Sequence, residues 1–174
     1  EILKGYIRDY FILFLPRDIV SGDFYYAFCN RKRIGIAAGD CTGHGVPGAL
    51  LSILGISLLN EIMQTCVSIK ANRALNLMRE KVMKALDQKG DTADTKDSID
   101  IALCLIDCAS NRMDFSGAGR PLYMVRNGEL TEYKADNMTI GIDPVQEKSF
   151  TNHSIVTSPG DSFYIFSDGF CDQF

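Results

Sequence analysis

The chain has 174 residues, of which 46% are hydrophobic and 23% are charged, and its formal net charge is −4. A chain of this length and composition forms one folded domain, and disorder is not expected. The basic residues are dispersed along the sequence, which argues against a surface for nucleic acid or anionic lipid. The six cysteines form no CxxC pair and no zinc-ligand spacing, which indicates reduced thiols and a cytoplasmic protein.

The first predicted elements are three strands. Residues 10–15 are aromatic or aliphatic and stop at Pro16, as a buried strand would. Residues 24–29 and 33–38 are two further strand-like runs on either side of a short polar turn. This pattern predicts an antiparallel hairpin.

Two helices and a series of strands follow. Residues 46–63 are apolar on nearly every face, which predicts a helix buried between other elements. Residues 71–89 carry apolar side chains at steps of three and four, which predicts an amphipathic helix. After a polar loop at 90–98, further strands are predicted at residues 99–107, 112–116, 122–126, 130–133, 149–157 and 162–166. Strands, two helices and then more strands predict an α+β fold with antiparallel sheets rather than a βαβ repeat.

Three aspartates stand beside glycine at the ends of predicted strands. Asp23 precedes the first hairpin strand, Asp40 follows the second, and Asp168 follows the last strand. Because hairpin strands are antiparallel, Asp23 and Asp40 come to the same end of the sheet. Hard divalent ions prefer carboxylate oxygens, so the pattern predicts a site for such an ion. His44 is a poor ligand for a hard ion, and we interpret it as an orienting hydrogen-bond partner or as the acid that protonates a leaving group.

Four sequence motifs, in this order, resemble one protein family. GDFYY, GDCTGHGVPGALL, SGAGRPLY and SPGDSFYIFSDG are similar to the SpoIIE/RsbU branch of the metal-dependent (PPM, type 2C) serine/threonine protein phosphatases. The resemblance covers about residues 11–174. It implies a β-sandwich of antiparallel sheets flanked by helices in α-β-β-α layers, occupying residues 10–174. Residues 1–9 would be the end of an upstream linker or helix.

The resemblance also implies a reaction and a set of ligands. Two Mn²⁺ or Mg²⁺ ions would activate a water molecule that attacks the phosphate of phosphoserine or phosphothreonine. Asp23 matches a metal carboxylate, and Asp40 matches the carboxylate that bridges both ions. The backbone carbonyl of Cys41 matches the ligand that follows the bridging aspartate, and Asp168 matches the third carboxylate.

Four further residues are candidates beside this set. Asp97 and Asp100 lie where related phosphatases carry an acidic residue for a weaker third metal ion, with loop solvation or a strand-start cap as the alternative. Arg17 and Arg120 are the arginines closest in sequence to the motifs. Either of them would suit a bidentate contact with substrate phosphate, with an ordinary exposed arginine as the alternative.

The sequence departs from the family pattern in two places. Family members continue past the Ser-Asp-Gly motif to a final acidic pair that supplies a metal ligand. We therefore expect either that the sequence is truncated at its C-terminal end or that metal affinity is impaired. Arg120 and Pro121 stand where relatives often carry Asn-rich or His-containing motifs, so phosphate or partner contacts there are expected to differ.

The expected function is that of a bacterial cytoplasmic phosphatase module in a signalling protein, which includes the cytoplasmic part of a membrane-anchored sensor. The family implies a phosphorylated regulatory protein, such as an anti-sigma-factor antagonist, as substrate. It also implies an upstream sensor domain in the same chain, and control by dimerisation would make the protein a homodimer. The alternative is a pseudophosphatase that acts as a regulatory binding module. A nucleotide-binding domain is disfavoured because neither GxxxxGK[ST] nor GxGxxG is present.

Overall fold

The computed structural model describes residues 3, 5–16, 19–30, 33–66, 68–88, 97–142 and 148–169. Its elements in chain order are β1 Phe24–Cys29, β2 Arg33–Cys41, α1 Gly45–Thr65, α2 Ala71–Ala85, β3 Ile99–Asp107, β4 Arg112–Ala118, β5 Leu122–Arg126, β6 Glu129–Tyr133, β7 His153–Val156 and β8 Ser162–Tyr164. The predicted α+β fold with antiparallel sheets and two helices is confirmed.

The strands form two sheets whose register decides which residues meet. The larger sheet has the order β1-β2-β3-β4-β7, and the smaller has the order β6-β5-β8. In the larger sheet Phe24 pairs with Gly39, and Asp40 pairs with Asp100. The start of β1, the end of β2 and the start of β3 therefore lie at the same end of this sheet.

The two helices and the smaller sheet cover opposite faces of the larger sheet. Side chains alternate between the two faces of a strand, and β3 shows this clearly because both of its faces are buried. Ile101 and Leu103 pack with the helices, whereas Ala102 and Cys104 pack with the smaller sheet. The described residues thus form α-β-β layers, and no helix in the described part of the chain covers the outer face of the smaller sheet.

The amphipathic helix α2 follows its predicted pattern. Leu75, Met78 and Val82 are fully buried in the core between the helices and the larger sheet. The helix ends at Ala85, a little before the predicted end at residue 89. Its apolar stripe is therefore part of the hydrophobic core.

Helix α1 differs from the prediction of burial on nearly every face. Leu59 and Ile62 are buried against the sheet, but Val46, Leu50 and Ile53 are each more than 60% exposed. The helix is apolar all round because of its sequence, whereas its burial depends on which neighbours are present. By length and composition alone, α1 is also long and apolar enough to cross a membrane, a test that core helices of soluble proteins pass as well.

The predicted buried strand at residues 10–15 is wrong for the described chain. Residues 10–16 form neither helix nor strand, and Phe11, Leu13 and Leu15 are 70 to 78% exposed. Apolar composition favours burial, but a strand also needs a hydrogen-bonded neighbour. In the part of the chain that the structure describes, no strand pairs with this segment.

The remaining strand predictions differ only in their bounds. The hairpin turn at Asn127 and Gly128 is confirmed, since both residues have positive φ angles, as a two-residue turn of type I′ requires. The prediction at 149–157 shortens to β7, and the prediction at 162–166 shortens to β8. The predicted loop at 90–98 lies outside the described residues except for its last two positions.

Candidate metal centre

Four aspartates from distant parts of the chain meet at one end of the sandwich. Asp23 precedes β1, Asp40 lies near the end of β2, and Asp100 lies near the start of β3. The prediction that the hairpin brings Asp23 and Asp40 to the same end of the sheet is confirmed by the strand register. Asp40 and Asp100 face each other across the β2–β3 pair. Asp168 approaches from the C-terminal side of β8 and completes the carboxylate cluster, which we define as these four residues.

The side chain of Arg120 lies within the carboxylate cluster. Its Nη2 donates hydrogen bonds to Asp40 Oδ2 at 2.6 Å and to Asp168 Oδ2 at 2.5 Å, and it lies 3.5 Å from Asp100 Oδ2. The side chain is only 16% exposed. Its Nε is buried and has no hydrogen-bond partner among the described residues. Three aspartates therefore hold one guanidinium whose hydrogen-bonding capacity is not filled.

Two contacts position the segment that carries Asp168. The ring of Phe166 stacks on Tyr123 of β5, with centroids 5.5 Å apart. The hydroxyl of Ser167 donates a hydrogen bond to Asp23 Oδ2 at 2.8 Å, which joins residues 144 positions apart. The segment is thus anchored on both sides of the cluster, and Asp168 is directed towards the other carboxylates.

Close backbone approaches explain two of the glycines around the cluster. Gly119 has a φ angle of +69°, and a Cβ there would lie 2.6 Å from Asp100 Oδ2. Any larger residue would therefore displace Asp100 and strain the turn that leads into Arg120. At the start of α1, a Cβ on Gly48 would lie 2.6 Å from the carbonyl oxygen of Gly43. Glycine at this position lets the first turn of α1 pack on the loop that follows Asp40.

The cluster carries more negative charge than Arg120 neutralises. Burial raises the pKa of Asp40 to about 7, together with the hydrogen bond to Asp23 and the charges of Asp23 and Asp168, while Arg120 acts in the opposite direction. Burial also raises the pKa of Asp100, again against the effect of Arg120. A raised carboxyl pKa means that the ionised form lacks sufficient positive charge nearby. The cluster would therefore gain from a cation of higher charge.

Cys41 contributes a backbone carbonyl near the cluster and an inert thiol. Its carbonyl oxygen would lie 3.1 Å from a Cβ on Gly22, so it approaches the segment that leads into Asp23. The side chain is buried, and burial together with the charges of Asp40 and Asp23 raises the thiol pKa to about 12. A raised pKa favours the protonated thiol, which is a poor nucleophile.

The structure does not bring every predicted site residue together. His44 is exposed at the N-terminus of α1 and makes no side-chain capping hydrogen bond. Asp97 is also exposed, and its backbone carbonyl accepts a hydrogen bond from Gln88 Nε2 at 2.7 Å. Of the two candidates for a third metal, the geometry therefore places Asp100 in the cluster. Arg17 lies outside the described residues. The roles of His44, Asp97 and Arg17 stay predictions.

Sequence reasoning missed two features of the site. Ser167 was not singled out, although it stands beside Asp168 in the Ser-Asp-Gly motif and bonds to Asp23. Arg120 was a candidate either for a phosphate contact or for an ordinary exposed arginine, and the second alternative is wrong because the side chain is only 16% exposed. The strand register that brings it to three aspartates cannot be deduced from its neighbours in the sequence. The carboxylates of a cluster without a cation would repel one another strongly. Once the sequence predicts such a cluster, this repulsion is the one signal that indicates a basic side chain among the carboxylates.

The donor chemistry of the cluster fits a hard divalent ion. In the described part of the chain, no three His, Cys, Asp or Glu side chains already surround a common point as metal ligands do. The guanidinium of Arg120 lies between the carboxylates instead. Carboxylate and carbonyl oxygens are the ligands that Mg²⁺ and Mn²⁺ prefer. The residues present therefore fit a divalent ion, provided that Arg120 leaves.

Comparison with protein-family models decides the family. The model for stage II sporulation protein E (SpoIIE) matches residues 30–174 of this sequence. The chain belongs to the SpoIIE family. The resemblance to the SpoIIE/RsbU branch of the PPM phosphatases is thereby confirmed. No match was found among proteins with curated descriptions.

Solved structures of PP2C phosphatase domains share the fold of this SpoIIE-family chain. The SiaA-PP2C domain of Pseudomonas aeruginosa is 30% identical, with a TM-score of 0.82, over 94% of this chain and 62% of that chain. The PP2C phosphatase domain of SpoIIE from Bacillus subtilis, solved with a fragment of its regulatory domain, is 24% identical, with a TM-score of 0.70, over 87% of this chain and 42% of that chain. The chain thus spans less than two thirds of the length of these two solved chains.

A third structure shows the same fold at lower identity. The catalytic domain of the serine/threonine phosphatase PstP, solved in complex with two manganese ions, is 17% identical, with a TM-score of 0.61, over 87% of this chain and 73% of that chain. At this identity the similarity establishes the fold alone. The architecture is therefore that of a PP2C phosphatase domain.

Proposed function

We propose that this chain is the phosphatase module of a signalling protein and that it hydrolyses phosphoserine or phosphothreonine with the help of two Mn²⁺ or Mg²⁺ ions. The observation that carries the proposal is the convergence of Asp23, Asp40, Asp100 and Asp168 at one end of the sandwich. Like charges repel, and a fold that gathers four carboxylates needs a cation to offset that repulsion. Membership of the SpoIIE family, together with the fold of PP2C phosphatase domains, supports this reaction class.

Each residue has a role in this proposal. Asp40 would be the ligand common to both ions, since its side chain is hydrogen-bonded to Asp23 and the charges of Asp23 and Asp168 both raise its pKa. Asp23 and Asp168 would each bind one side of the pair, with the Cys41 carbonyl as a neutral ligand. Asp100 would bind a weaker third ion or complete the set. When bound, the ions would supply an activated water molecule and neutralise the phosphate oxygens.

The protein itself would position the substrate and the ligands. Ser167 fixes one oxygen of Asp23, so the other oxygen stays directed towards the cluster. His44 is exposed at the N-terminus of α1, and in this proposal it gives a proton to the leaving serine or threonine oxygen. Arg120 would hold phosphate oxygens bidentately once it is free of the aspartates. Arg17 remains a second candidate for this contact.

The substrate and setting follow from the family and stay proposals. We propose a phosphorylated regulatory protein, such as an anti-sigma-factor antagonist, as the substrate, and an upstream sensor domain joined through residues 1–9. The phosphatase domain would occupy residues 10–174 in the cytoplasm. The exposed apolar side chains of α1 suit a second copy of the chain, which agrees with a homodimer.

A pseudophosphatase is the second candidate, and Arg120 is the observation that favours it. In this second candidate, the guanidinium among the carboxylates would permanently take the place of a metal ion. A module in that state would keep the surface that binds the phosphoprotein but would not turn it over. The two candidates differ in whether added metal ions restore hydrolysis.

The test measures phosphate release from a phosphoserine peptide by the complete protein, with Mn²⁺, with Mg²⁺ and with excess EDTA. We expect hydrolysis with either ion and none with EDTA. Full activity in excess EDTA would contradict the metal-dependent mechanism. Peptide binding without phosphate release at saturating Mn²⁺ would favour the pseudophosphatase.

A further inference from the structure

Arg120 and a divalent ion need the same oxygen atoms. The Nη2 of Arg120 is directed at Oδ2 of Asp40, Asp100 and Asp168 at once, at distances between 2.5 and 3.5 Å. A bound Mg²⁺ would lie about 2.1 Å from its carboxylate ligands. An ion at that distance would overlap the guanidinium, and their like charges would repel. The ion and Arg120 cannot occupy the carboxylate cluster together.

Strong hydrogen bonds hold the Arg120 guanidinium in the cluster, but one of its buried polar atoms has no partner among the described residues. It makes two short hydrogen bonds to carboxylates, and such charge-assisted bonds are strong. Its Nε, however, is buried without a partner among the described residues, which is unfavourable for a polar group. Leaving the cluster would return that nitrogen to water, and this reduces the free energy that displacement requires.

The backbone at Arg120 is more constrained than the side chain. Gly119 before it has a positive φ angle and forms a backbone bridge with Ile101 of β3. Pro121 after it fixes its own φ angle and restricts the conformation of Arg120. Displacement by a metal ion would therefore rotate the side chain and leave the turn in place. The freed guanidinium would stay at the border of the site.

We propose that Arg120 is a displaceable internal counter-cation, which holds the carboxylate cluster together without metal and competes with the divalent ion for it. The competition sets the metal concentration at which the site fills. This inference rests on the proposed function for the identity of the cation, and it adds a property that the phosphatase reaction does not require.

The experiment measures Mn²⁺ binding to the complete protein by the loss of the free-ion electron paramagnetic resonance signal, without substrate. The variant is Arg120→Gln, and the matched control is Arg126→Gln. Arg126 forms a bidentate pair with Asp161 through Nε and Nη2, at 2.8 and 2.6 Å, and lies outside the cluster. Both substitutions remove one guanidinium from a carboxylate, so only the location differs.

We expect Arg120→Gln to bind Mn²⁺ at least about tenfold more tightly than the unaltered protein, because a competitor and a repelling charge are both removed. Arg126→Gln should bind Mn²⁺ as the unaltered protein does. In EDTA, Arg120→Gln should unfold at a lower temperature than the unaltered protein, and saturating Mn²⁺ should close that gap.

A second measurement covers the case in which Arg120→Gln does not fold in EDTA. The Nε–H signal of Arg120, assigned by its loss in Arg120→Lys, is followed by nuclear magnetic resonance during a Mg²⁺ titration of the unaltered protein. We expect this signal to shift while that of Arg126 stays in place. An Arg120 signal that is unchanged at Mg²⁺ saturation would overturn the inference.

The outcomes separate this inference from the proposed function. Tighter Mn²⁺ binding by Arg120→Gln supports it, and equal or weaker binding overturns it while the phosphatase proposal stands. If only Arg120→Gln binds Mn²⁺, the competition is supported and the unaltered protein is a pseudophosphatase. If neither protein binds Mn²⁺, both proposals fail.

Discussion

Two arginines of this protein pair with aspartate in opposite electrostatic settings. Arg126, at the end of β5, makes two hydrogen bonds to Asp161. Hydrogen bonding from Arg126 is the largest cause of the lowered pKa of the Asp161 carboxyl. Arg120 faces Asp40, Asp100 and Asp168, where burial and the neighbouring carboxylates raise the pKa of Asp40 to about 7.

The difference between these two pairs lies in charge balance. Arg126 and Asp161 are one cation and one anion, and we call them the closed pair. They link strand β5 to the turn before β8. One cation for a cluster of carboxylates leaves uncompensated negative charge. Shifted pKa values of this kind gather where a protein binds or reacts, although structural networks produce them as well. The comparison distinguishes a pair that stabilises the fold from a cluster that needs a further cation.

The largest expected effect concerns Asp40. Asp40→Asn removes the charge at the proposed bridging position and should lower kcat/KM for a phosphoserine peptide about a thousandfold or more in Mn²⁺. Asp161→Asn is the control, since it removes a carboxylate from the closed pair, and it should keep most of the activity. His44→Ala should cost far less than Asp40→Asn. Equal losses for Asp40→Asn and either of the other variants would contradict the assignment.

Gly119→Ala should have the next largest effect. The added Cβ would lie 2.6 Å from Asp100 Oδ2, so the carboxylate must move, and kcat/KM is expected to fall about a hundredfold. Gly128→Ala is a matched control because Gly128 also has a positive φ angle but has no atom within 4 Å of the added Cβ. Backbone strain is then common to both variants. Similar activity of the two would show that the position of Asp100 is unimportant.

The two carboxyl groups predict opposite pH dependences of stability in EDTA. Asp40, whose folded-state pKa is raised to about 7, contributes stability below its unfolded pKa of about 4, and this is lost as pH rises towards 7. Asp161, whose pKa is lowered, contributes stability above its unfolded pKa that is lost as pH falls.

The corresponding measurement is urea unfolding in EDTA between pH 5 and pH 8. The free energy of unfolding should fall by about 1 to 2 kcal/mol over this range in the unaltered protein and by less in Asp40→Asn. Asp161→Asn should retain the fall. If Asp40→Asn shows the full decrease as well, another group is responsible for it.

The smallest expected effect concerns the closed pair. Arg126→Gln should lower the melting temperature by about 1 to 3 °C, because Arg126 is 38% exposed and the buried Asp161 carboxylate keeps the hydrogen bond from the Ser158 backbone N–H. Mn²⁺-dependent hydrolysis should be unchanged. A large loss of activity in Arg126→Gln with a normal melting temperature would mean that the two pairs do not have separate roles.

The sequence predicted elements whose signals are local. The Asn127-Gly128 turn and the two strands flanking it formed as expected, since turn residues act within a few positions. The amphipathic stripe of α2 is buried as its period predicted. Element ends were less well predicted, as the shortening at β7 and β8 shows. Pairing with a neighbouring strand, rather than composition, decides where a strand ends.

The sequence alone determined that the chain forms antiparallel sheets with two helices and that Asp23 and Asp40 share one end of a hairpin. These features follow from local periodicity and from the geometry of antiparallel pairing. Only the tertiary structure decided that Asp100 rather than Asp97 joins them and that Arg120 lies between them. Strand register and close packing fix such contacts between residues far apart in sequence, and no pattern within a short segment encodes them.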